Sequence, residues 1–172
     1  GARIANAAAR LELPLKAFTT DAGVDALSFG GTKSGLLLGE AALFLNQKLA
    51  ENFKYIRKQG GQLFSKSRFL AAQFRAFLSN DLYLKYGRVS NELATYFAER
   101  LATFKEITIT RPVESNALFF SAKKPIVEKL RENHYFYEWN SELNEHRLLC
   151  SFNSTKQDID NFITDLEKII DQ

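Results

Sequence analysis

Residues 24–35, VDALSFGGTKSG, decide how the rest of the chain is read. An apolar run of strand length ends in two glycines and a threonine, then presents a single lysine, Lys33, ahead of another glycine. A second apolar run, LLLGEAALFLN, follows within a few residues and predicts a strand at 39–45. Runs this close pair as antiparallel neighbours rather than through a crossover. The first reads as a strand buried on both faces. Two readings of Lys33 remain open at this level. One is a solvated hairpin tip, where most lysines lie. The other is an amine held in a pocket to do chemistry, which must be partly neutral and so needs burial or neighbouring cations. Gly30 and Gly31 would let a planar ligand or a phosphate approach the backbone without a Cβ in the way. Ser28 and Thr32 offer hydroxyls beside it. The segment is not a P-loop, because it lacks the glycine spacing and the Gly-Lys-Ser/Thr order.

Outward from this turn, IANAAARLE at 4–12 reads as a short helix, with Pro14 opening a further short turn at 14–19. Downstream, 47–59 has helical periodicity in Leu49, Phe53 and Ile56 and stops at Gly60-Gly61. SKSRFLAAQFRAFLSN predicts a helix with Ser65 as N-cap, and a further helix at about 88–104 carries Leu93, Phe97 and Leu101 on one face. The texture then changes. EITITRP and NALFFSA alternate as strands around Pro112, KKPIVEKLRENH is a helix with proline in its first turn, and YFYEWN and HRLLCSF form a strand pair. STKQDIDNFITDLEKIID closes the chain as an amphipathic helix capped by Ser154 or Thr155. From about residue 88 the order is αββαββα, a compact α+β domain with helices on one antiparallel sheet. The expected division is 1–87 and 88–172.

The 172 residues carry 23 basic and 20 acidic side chains, interspersed, for a net charge of +3. That balance gives no reason to expect nucleic acid or an anionic membrane as partner. No stretch approaches the roughly 20 apolar residues of a bilayer span. The single cysteine, Cys150, excludes an internal disulfide framework and fits a reducing compartment, with the cytoplasm as the expected location. His134 and His146 are not at metal-ligand spacing and no Cys or carboxylate cluster joins them, so no metal site is expected. The aromatic set at 134–139, HYFYEW, is expected to pack the small domain's sheet. In HRLLCSF, alternation puts Arg147, Leu149 and Ser151 on one face and His146, Leu148, Cys150 and Phe152 on the other. A guanidinium is a natural clamp for a carboxylate, and a surface-strand arginine paired with a nearby acid is the alternative. The chain holds no methionine and opens directly in a segment that reads as structure, so a fragment or the second half of a longer polypeptide is expected.

GARIANAAA, GVDALSFGGTKSGLLLGEAALFL, RKQGG, SNALFF and HRLLCSF, taken in order and spacing, resemble the C-terminal half of the L-threonine aldolase family. That family belongs to the β-eliminating lyase group of fold-type I enzymes dependent on pyridoxal 5′-phosphate. Its pattern is D-G-A-R, followed about thirty residues later by V-D-x-[LV]-S-x-x-x-[ST]-K-x-G, and Asp25 to Lys33 keeps its interval. The resemblance implies an α/β fold: residues 1–87 as the C-terminal part of the cofactor-binding large domain, then a small α+β domain. It implies an aldolase that cleaves L-threonine and other β-hydroxy-α-amino acids to glycine and an aldehyde. Lys33 would bind the cofactor covalently, with Thr32 and Ser28 lining its turn. Arg3 would reach the cofactor oxygen and the bound amino acid, Arg147 would bind the substrate carboxylate, and Lys58 falls where the family has a basic residue near the pocket. Arg3, Lys58 and Arg147 would then lie close to Lys33. The pyridinium aspartate, the phosphate-binding loop and the ring-stacking residue would come from the N-terminal half of the same protein, outside this chain. A homodimer or homotetramer is implied too. A β-eliminating lyase or aminotransferase on the same fold is the nearer alternative, and a non-catalytic α+β interaction module the more distant one.

Overall fold

A computed structural model describes residues 1–171 of the chain, which divide into two compact units, Gly1–Gly87 and Arg88–Gln172. In the first unit, helix α1 (Ile4–Leu11) precedes an antiparallel ribbon of strands β1 (Ala26–Gly30) and β2 (Glu40–Phe44), then helices α2 (Phe53–Gln59) and α3 (Ser67–Leu78). Helix α4 (Leu82–Leu101) begins in this unit and continues into the second. The first core is small: Ile4, Ala5, Phe29, Leu36 and Phe77, with Phe74, Tyr83 and Tyr86 packed against it.

Several features of this unit depart from the periodicity. β1 is not covered on both faces, since Ala26 and Ser28 are exposed while Phe29 and Gly30 are buried. A ribbon of two strands has a second face that the described residues leave open. The helix expected over 47–59 is broken into a 3-10 turn at Gln47–Ala50 and α2. Asn46 accepts from the Lys48 amide and starts the first piece, and Asn52 leaves helical geometry at φ −106°, ψ 2° before the second. The apolar stripe of that segment is not buried either, with Leu49 54% and Ile56 58% exposed. Ser65 does not cap α3. It falls in a turn ahead of Lys66, which occupies the cap position without a side-chain hydrogen bond. α4 starts about six residues earlier than the periodicity predicts, because Tyr83 and Tyr86 are recruited by the first core.

The second unit follows α4 with β3 (Ile107–Ile109), β4 (Ala117–Ala122), α5 (Lys124–Asn133), β5 (Tyr137–Asn140), β6 (Glu145–Leu149) and α6 (Lys156–Ile170). The αββαββα order is as the sequence predicts. Its sheet is antiparallel throughout in the order β3-β4-β6-β5, with Leu118 opposite Leu148 and Phe120 opposite His146. Alternation along β4 sends Leu118, Phe120 and Ala122 inward onto Leu93, Phe97 and Leu101 of α4, Val127 and Leu130 of α5, and Ile159, Phe162, Ile163 and Leu166 of α6. Each such side chain contributes about 1.5–3 kcal/mol on burial. Pro125 sits in the first turn of α5, where its missing N–H costs nothing. A reciprocal capping box between Thr155 and Asp158 opens α6.

The 134–139 set does not pack as a block. Phe136 is buried in the core, whereas Tyr135, Tyr137 and Trp139 stay substantially exposed. Strand alternation splits the run, and only one of its faces meets the helices.

Candidate functional site

In the first unit the N-terminal residues lie against the end of β1. The Gly1 carbonyl accepts from the amides of Ile4 (3.1 Å) and Gly30 (3.2 Å), tying the start of α1 to the lysine segment. This crossing explains Gly30: a Cβ there would lie 2.6 Å from the Ala2 Cα. A Cβ on Gly31 would meet the Leu36 side chain at 2.5 Å and the Gly39 carbonyl at 2.9 Å. Both glycines therefore admit the chain's own backbone and side chains, not the ligand that the sequence alone pointed to. Arg3, half-buried, follows directly on this crossing.

Lys33 occupies a 3-10 turn, Thr32–Ser34, held from several directions. The Gly31 amide donates to the Gly39 carbonyl at 3.0 Å. The Thr32 hydroxyl donates to the Gly39 carbonyl at 3.3 Å and accepts from the Gly39 amide at 3.0 Å. The Leu37 amide donates to Gln73 Oε1 of α3 at 2.9 Å. The turn buries Ser34 and exposes Lys33. The desolvation that a reactive amine requires is thus not supplied by the described residues of this unit. Ser28 is exposed on β1 opposite Ala42. Lys58 is exposed on α2, a helix that buries no side chain, and no ion pair of it is found among the described residues.

In the second unit Arg147 stands on the sheet face turned away from the helices, between Phe119 of β4 and Tyr137 of β5 in register. Its guanidinium carbon lies 4.6 Å from the Trp139 ring centroid and 5.1 Å from that of Tyr137. Contacts of this kind are worth about 0.5–1 kcal/mol at exposed sites and about 2 when desolvated. Its Nε is buried and has no hydrogen-bond partner, and no acid among the described residues pairs with it. The ion pair of the alternative reading is not found at this position among the described residues. The nearest acid along the strand, Glu145, is taken. Arg111 holds it in a fork, Nε–Oε1 2.9 Å and Nη2–Oε2 2.6 Å, and the Thr110 hydroxyl donates to it at 2.6 Å. The Arg111 hydrogen bond holds the Glu145 carboxyl below its ordinary value despite burial.

The histidines and the cysteine are held by local contacts or burial. His146 is buried against Phe120 and Phe136, and burial lowers its pKa. His134 pairs with Asp165 at 3.1 Å. Burial pushes the Cys150 thiol up to about 12, so it stays protonated and inert. Among the described residues no group of three His, Cys, Asp or Glu side chains is placed to hold a metal, and no helix is long and apolar enough to cross a membrane. The sequence reading missed Trp139 and Tyr137 as partners of Arg147. The signal was present in the alternation of 135–139, which sets Tyr135, Tyr137 and Trp139 on the face opposite Phe136.

A helix-flanked β1–β2 ribbon ending in a lysine turn, followed by a small α+β unit, is the C-terminal part of a fold-type I enzyme. The profile of the beta-eliminating lyase family matches residues 1–125, and the chain belongs to that family. It is 39% identical over 171 residues to the low specificity L-threonine aldolase of Pseudomonas aeruginosa, a match covering 99% of this chain and 49% of that protein. It is 35% identical over 170 residues to the low specificity L-threonine aldolase of a Pseudomonas sp., again covering 99% of this chain and 49% of the relative. Among solved structures, the threonine aldolase of Leishmania major superposes with a TM-score of 0.87 at 26% identity, over 99% of this chain and 50% of that one. The chain spans about half the length of these relatives.

Proposed function

We propose that this chain is part of a pyridoxal-phosphate-dependent aldolase that cleaves L-threonine and related β-hydroxy-α-amino acids to glycine and an aldehyde. The observation that carries the reading is a pair of cations with different surroundings. Lys33 offers a primary amine from a hydrogen-bonded turn, and Arg147 offers a guanidinium that no acid among the described residues pairs with. The turn that carries Lys33 is braced by Thr32 and Gly39. When bound, the cofactor supplies an electron sink for the pair released as a bond at the substrate Cα breaks.

The chain's own residues have separate tasks. Lys33 holds the cofactor covalently, and Ser28 and Thr32 flank its turn. Arg3 assists at the cofactor oxygen and the amino acid. Arg147 takes the substrate carboxylate in a bidentate fork, which fixes the orientation of the Cα–Cβ bond. Lys58 adds positive charge near the pocket. The names of the Pseudomonas relatives support a site tolerant of several β-hydroxy amino acids. A homodimer or homotetramer and a cytoplasmic location complete the proposal, the latter supported by a lone buried thiol.

The test is to load the full-length protein with pyridoxal phosphate, add L-threonine and assay the products. Glycine and acetaldehyde in equal amounts are expected. Ammonia with a keto acid would assign a lyase of the elimination type, transfer of the amino group an aminotransferase, and failure to take up the cofactor a non-catalytic module.

A further inference from the structure

We propose that Trp139 and Tyr137 are positioning residues that hold Arg147 ready for a carboxylate, and that Arg111 keeps Glu145 from capturing it. The proposal rests on the reading of Arg147 as the carboxylate clamp and adds how the clamp is kept open. Four strands bring the parts together on one sheet face. Arg111 just beyond β3 stacks over Phe119 of β4 at 4.6 Å, and Phe119 meets Trp139 edge to face at 5.4 Å. Trp139 and Tyr137 of β5 then lie on Arg147 of β6.

Ring faces attract a guanidinium but accept no strong hydrogen bond. They restrict its orientation while leaving its in-plane N–H groups unspent. The buried Nε without an acceptor is the visible consequence. A carboxylate is the acceptor that matches this fork. Glu145 is the competitor within the protein, because it shares a strand and a face with Arg147 at a separation of two residues. Arg111 and Thr110 occupy both of its oxygens. Glu138, the acid of β5, faces Arg131 at 3.9 Å.

The experiment uses the full-length, cofactor-loaded protein. Trp139 is 47% exposed, so Trp139→Leu keeps apolar cover without emptying the core. The KM for L-threonine is expected to rise about tenfold. kcat and cofactor affinity, followed by visible absorbance, should change little. Trp139→Phe, which restores a ring, should recover most of the KM. Arg111→Ala should raise KM as well, and Arg111→Ala/Glu145→Gln should bring it back, which a merely structural role for Arg111 would not produce. Arg147→Ala is the reference. If it leaves KM unchanged, the carboxylate role itself fails. If it raises KM while Trp139→Leu leaves KM at the parent value, the clamp stands and the positioning role is overturned. Melting temperatures taken alongside separate loss of fold from loss of orientation.

Discussion

The two units of this chain solve the burial problem to different degrees. In Arg88–Gln172 one continuous core joins three helices to an inward sheet face, from Leu93 through Phe120 to Leu166. In Gly1–Gly87 the core is five residues, while Leu37, Leu38, Leu49, Tyr55, Ile56, Phe64 and Phe69 stay exposed among the described residues. Yet the first unit carries the lysine turn, held by hydrogen bonds rather than by depth of packing. The lesson is that a turn can be held in place without a large core beneath it. Close approaches at Gly30 and Gly31 and the two hydrogen bonds between Thr32 and Gly39 hold it.

The largest expected effect breaks that contrast at its functional end. Lys33→Ala in the full-length protein should abolish turnover and the visible absorbance gained with pyridoxal phosphate, with the melting temperature of the unloaded protein unchanged. Next, Phe120→Ala should destabilise the second unit by about 3–5 kcal/mol in chemical denaturation. Leu49→Ala should change the stability of this 172-residue chain by no more than about 0.5 kcal/mol. A large loss at Leu49 would show that its face is covered after all.

Acid should act mainly on the second unit. His146 has a folded value below its ordinary 6.5, so its contribution is complete above that value and is lost as pH falls through the lowered one. Glu145 is held below its ordinary 4.5, so its share persists above 4.5 and disappears as pH drops further. In Arg111→Ala the first cause of the Glu145 depression is gone, and the decay below 4.5 should flatten in a pH series of denaturant midpoints. At the last helix Thr155→Ala removes a capping box and should cost about 1 kcal/mol, more than Leu49→Ala and less than Phe120→Ala.

The second unit was legible because each local signal agrees with the tertiary outcome. β4 alternates and one face is buried, Pro125 opens a helix, and Thr155 and Asp158 cap one. The first unit was legible in its turn and ribbon but not in its helices. Periodic Leu49 and Ile56 promise a buried stripe that the described residues do not provide, and Asn52 interrupts the helix between them. In the same way alternation located Arg147 on its face, but not the rings on either side of it. The pairing of β5 with β6 was legible, but its register, which sets Tyr137 opposite Arg147, is a choice that no local pattern states.

The most direct test is reduction of the cofactor-loaded full-length protein with borohydride, followed by peptide mass spectrometry. A pyridoxyl adduct on Lys33 is the expected result. An adduct on another lysine, or none on any, would contradict the account.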